Sequence, residues 1–239
     1  MTTTEPLLEA VLNLTRVHRE HEEYWSESPR EQAVVLQRHA RSLLALADRW
    51  SSAEPSRRTA LSPFEGADDL NAPVATQLDG VLFLEGEGRP PEITRIVREL
   101  RTQGEDALVI GDWLTQAMQA SWDMAVALLA VDGLADVMGE RHRIIANDWH
   151  TASLTTLSGR LLLRAADILD GLDLTPAALR TDLAGTRRSA RMLYSVAELV
   201  GHAADLISEG AGIQHDSERR WRVFRERVAA EVVAGAREL

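Results

Sequence analysis

The sequence predicts an all-α protein: an antiparallel helical bundle of about six to eight helices with one long, partly ordered loop. Two observations lead there. Apolar residues recur at spacings of three and four through most of the chain, the period of a helix with one buried face. Val81-Leu82-Phe83-Leu84 is the single run that could form a strand, and one strand has no partner elsewhere. At 239 residues the chain fits one α-helical domain over 1–239 and is long enough to bury a large core.

The elements follow in order. Pro6 suits a helix start, and Val11, Leu14, His18, His21 and Trp25 then share one face. Ser28-Pro29 with Glu31 starts a second helix, whose buried face should be Ala33, Leu36, Ala40, Leu43, Ala47 and Trp50. Residues 51–91 collect five of the eight prolines, several glycines and a run of acids. They predict a long loop draped on the bundle, pinned by Phe64 and Phe83. Ile93, Ile96, Val97 and Leu100 form a short amphipathic stripe. A separate helix is expected over about 105–131, and a long one from Gly139 to Gly171. A small helix should run from Thr175-Pro176 to Gly185. The chain should close with two helices, one from Thr186 to about Gly210 and one capped by Asp216 or Ser217.

Composition excludes several chemistries. The chain has no Cys, hence no disulfide, thiolate nucleophile or Cys-ligated metal. All 26 basic residues are Arg, so a Schiff-base or phosphate-loop lysine is absent too. A GC-rich bacterial genome explains this arginine bias most simply. The formal net charge of −11 argues against nucleic acid, whose binding rests on a basic surface. The arginines of residues 219–227 alternate with Asp216, Glu218, Glu226 and Glu231, which predicts a solvated mixed face. No apolar run is long enough to span a bilayer, and no basic segment followed by an apolar one opens the chain. A cytoplasmic protein with no membrane partner is the expectation.

The chemistry-bearing stretch is Gly139–His150, which crowds Arg141, His142, Arg143, Asn147, Asp148, Trp149 and His150 into three turns. Arg143 and Asn147 are four apart, as are Ile145 and Trp149. The expected ligand-binding wall is Arg141, His142, Arg143, Asn147, Trp149 and His150: a polar pocket with an aromatic floor, in which Arg grips a carboxylate or phosphate. The competing reading makes Trp149 core and pairs the charges with a neighbouring helix. Asn147–Thr151 is similar to the Asn-Asp-x-x-Ser/Thr segment of terpene cyclases, but Thr155 stands where that segment needs a metal-binding Glu.

A divalent metal is a second expectation. His18 and His21 are three apart, and Glu198 and His202 four apart, so each pair can share a helix face and offer ligands. His142 and His150 are eight apart, about 12 Å along a helix, so one ion cannot take both. His39 and His202 should be half-buried, and Trp25, Trp50, Trp122, Trp149 and Trp221 should all lie on buried faces. The chain is therefore expected to bind a small-molecule ligand, anionic or metal-associated, in a pocket between helices. The alternative is a non-enzymatic interaction or oligomerisation module, such as a homodimer.

Overall fold

The computed structural model describes residues 9–10, 12–13, 16–17, 29–52, 91–129, 138–175 and 183–237. Among them every regular element is an α-helix and no strand occurs, so the all-α class holds. The six positions between 9 and 17 are helical. The long helices are α1, Pro29–Ser52; α2, Pro91–Leu129; α3, Met138–Asp170; and α4, Leu183–Arg237. None is long and apolar enough to cross a membrane. His18, His21 and Trp25, the 53–90 part of the expected loop with its strand-like run, and 176–182 of the expected small helix lie outside the described residues.

α1 forms as its pattern dictates. Pro29 sits at its first position, where the missing N–H costs nothing. Ala33, Leu36, Ala40, Leu43, Ala47 and Trp50 are all buried. α3 ends at Asp170 as expected: the Gly171 N–H still reaches the Asp167 carbonyl at 3.1 Å, and Leu172 turns back to Leu169.

Two expected breaks are absent. The stripe Ile93–Leu100 and the helix expected from 105 are one helix, α2. The buried positions Leu100, Gly104, Ala107, Gly111 and Leu114 keep the three-four spacing without a change of phase, so no turn interrupts them. Gly104 is a packing residue. A Cβ there would lie 2.9 Å from Leu163 Cγ and 3.1 Å from the Gly159 carbonyl. The two expected closing helices are also one, α4. Gly210 is buried within it, beside Thr151 and Leu154, and Asp216 and Ser217 are interior residues rather than caps.

The chain divides into two compact units, both supplied by α2, α3 and α4. One comprises 31–106 and 158–205. In it α1 and α4 run antiparallel: Gln37 bonds Asp205 at 3.4 Å, and the Tyr194 hydroxyl donates to Asp48 at the other end. α2 and α3 are antiparallel as well, with Arg101 bridging to Asp167 and Asp170. These ion pairs are exposed and worth at most about 1 kcal/mol each. The stabilisation comes from the core: of the eleven largest fully buried side chains among the described residues, all but Ile144 belong to this unit. At roughly 1.5–3 kcal/mol for each fully buried large apolar side chain, that burial outweighs the surface pairs.

His39 is buried in that core, as are the polar residues Ser42, Ser158 and Thr186. It is 6% exposed, and its Nε2 lies 2.9 Å from Glu99 Oε2. The carboxylate is close by distance but off the N–H direction, so the contact is electrostatic rather than a well-angled hydrogen bond, and Nδ1 is buried with no hydrogen-bond partner among the described residues. The expected half-burial is thus wrong for both histidines: His39 is buried and His202 is exposed. Burial pushes the His39 pKa below its ordinary 6.5; Glu99 opposes this and Arg95 reinforces it.

The second unit comprises 1–30, 107–157 and 206–239. Its core includes Ala107, Ala117, Ala120, Ala125 and Ala152 beside Leu114, Met124, Ile144, Ile145 and Leu154. α2 and α3 again run antiparallel and very close. A Cβ on Gly111 would sit 2.2 Å from Thr156 Oγ1 and 3.2 Å from the Thr156 backbone nitrogen. α3 and α4 are tied by Ser217 Oγ donating to Asp148 at 3.0 Å.

The glycine contacts predict opposite signs for one substitution. Alanine improves helix propensity by about 0.8–1 kcal/mol at either Gly111 or Gly212. At Gly111 the clash, about 1–3 kcal/mol for overpacking, outweighs it, and thermal or urea unfolding of Gly111→Ala should show a less stable protein. At Gly212 nothing lies within 4 Å, and Gly212→Ala should be the more stable.

His39 predicts a pH dependence. Its folded pKa lies below its unfolded value, so its contribution is fully present above about pH 6.5. As pH falls further, the unfolded chain takes up a proton that the folded unit resists, and stability is lost. Chemical unfolding at several pH values should show a smaller loss between pH 7 and 5 for His39→Gln than for the parent chain.

Candidate functional site

The first half of α3 presents its expected site residues to different surroundings. Arg143 and His150 are exposed, and Trp149 is 61% exposed. Asn147 and Asp148 are half-buried, with Asp148 turned to Ser217 of α4. Ile144 and Ile145 are buried, and Ile145 packs against Ala125 of α2. The helix therefore buries its isoleucine side and turns Arg143, Ala146, Trp149, His150 and Ser153 outward. Trp149 is neither the core residue nor the buried floor that the sequence suggested. The side chains of Arg141 and His142 lie outside the described residues.

The metal residues do not form a described cluster. Glu198 and His202 are both exposed on α4, in the unit holding 158–205. Among the described residues no group of three or more His, Cys, Asp or Glu is placed to hold a metal ion. The mixed charged face near the end of α4 is as expected: Asp216 accepts from Arg219 and Arg220, each at 2.6 Å. The Arg220 bond, then the Arg219 bond, holds its carboxyl below the ordinary carboxylate value.

A concave feature of the second unit lies elsewhere. An open groove of about 790 Å³ runs between the described residues of 9–17 and the second half of α2. One wall carries Glu9, Ala10, Leu12, Asn13 and Arg16. The other carries Gln119, Trp122, Asp123, Val126 and Ala127. Leu12 is 61% exposed, Val126 52% and Trp122 45%, so an apolar strip lines the groove and remains open to water. Trp122 was expected in the core. It instead shares its exposed side of α2 with Gln119 and Asp123, which bond each other at 2.9 Å.

Directly beside the groove is its anchor. Val17, Ala117, Ala120 and Met124 form a buried cluster, with Ala10 and Trp113 packed on it. The Trp113 indole N–H donates to the Val17 carbonyl at 2.7 Å. That bond and the alanine-lined contact fix the near wall against α2, leaving Leu12 and Arg16 on the groove side. Sequence reasoning missed Trp113. Its signal was weak, because neighbouring Asp112 and the polar residues at 115 and 116 make its face look exposed.

What this arrangement does chemically is limited and specific. It offers a tryptophan, two aliphatic side chains, two carboxylates, an amide pair and a guanidinium around an open apolar strip. Among the described residues its lining holds no His. No protein-family model matches the chain, and no curated protein or solved structure matches it.

The anchor predicts a local effect. Trp113→Phe keeps the ring but loses the indole donor, at a cost of about 1 kcal/mol. Hydrogen exchange read by mass spectrometry should show faster exchange in the segment containing 9–17, with α1 unchanged.

Proposed function

We propose that this chain is a non-enzymatic interaction module whose working surface is the groove between residues 9–17 and α2. The observation that carries this reading is the exposure of Trp122 between Leu12 and Val126. Tryptophan is the residue most enriched at interface hot spots, and a contiguous apolar strip held open to water is what a binding face requires. Among the described residues, seven of the ten large exposed apolar residues, Trp149 included, belong to the unit that holds the groove.

The pocket built from Arg141, His142, Arg143, Asn147, Trp149 and His150 draws less support. A small anion is gripped well where water is excluded, and Arg143, Trp149 and His150 stand in solvent. Metal chemistry through His18, His21, Glu198 and His202 has no described cluster behind it. A cytoplasmic, bacterial setting agrees with the composition.

A photo-crosslinking amino acid at Leu12, introduced in the cells that make the protein, tests the reading. The expected result is a discrete protein adduct at Leu12, lost on adding Trp122→Ser, and none from the same group at Glu198. An adduct of only a few hundred daltons, or equal labelling at both positions, would replace the interaction module with a small-ligand protein or with no specific surface.

A further inference from the structure

We draw no further inference here: the strongest candidate, the open groove between residues 9–17 and α2, belongs to the site already described and nothing in the structure shows what covers it, and the buried His39 facing Glu99 adds nothing to the pH dependence already derived.

Discussion

The close approach of α2 and α3 is the constraint on which the rest depends. At Gly111 a single added carbon would meet the Thr156 backbone nitrogen at 3.2 Å and its Oγ1 at 2.2 Å, and at Gly104 the Gly159 carbonyl and Leu163 leave no space. Two helices that meet through hydrogen atoms gain dispersion contacts along their length but have little apolar volume to bury between them. In the unit of 31–106 and 158–205, leucines and isoleucines of all four helices make up that volume. In the other unit Leu114, Ile144, Ile145 and Leu154 of α2 and α3 are buried, while Trp122, Val126 and Trp149 of the same helices are exposed.

Much of the fold was legible in the residues, and the failures have physical causes. The α1 face was read correctly at all six positions because each was apolar and the phase never slipped. The end of α3 was legible for the same reason, with Gly171 closing a clean apolar period. Breaks were expected before residue 105 and at about Gly210, and α2 and α4 run through both places. A glycine that ends a helix and a glycine that admits a neighbouring backbone look the same in one sequence; what separates them is the phase of the buried residues on either side. That phase is continuous across both sites.

The site was less legible. Tryptophan carries a large apolar area, so the default is to bury it, and for Trp50 the default held. For Trp122 the warning was Gln119 and Asp123 on the same side of the helix, and for Trp149 it was Arg143, His150 and Ser153. The crowded residues of α3 differ in burial: Asp148 is half-buried and accepts from Ser217, while Arg143 and His150 are exposed. The groove itself required two segments far apart in sequence, joined by the Trp113 to Val17 bond, and no local pattern encodes that pairing. His39 shows the converse: a polar residue at a core position of α1, tolerated because Glu99 stands opposite it.

α2 lends its first part to the unit that holds most of the largest fully buried side chains and, in the proposed reading, the exposed strip of its second part to a partner. Native-state hydrogen exchange along α2 tests it most directly, because opening free energies follow local packing. The predicted result is high protection for the amides of Ile93–Gly104 and distinctly lower protection for those of Trp113–Val126. Uniform protection along the helix, or greater protection around Trp122, would contradict it.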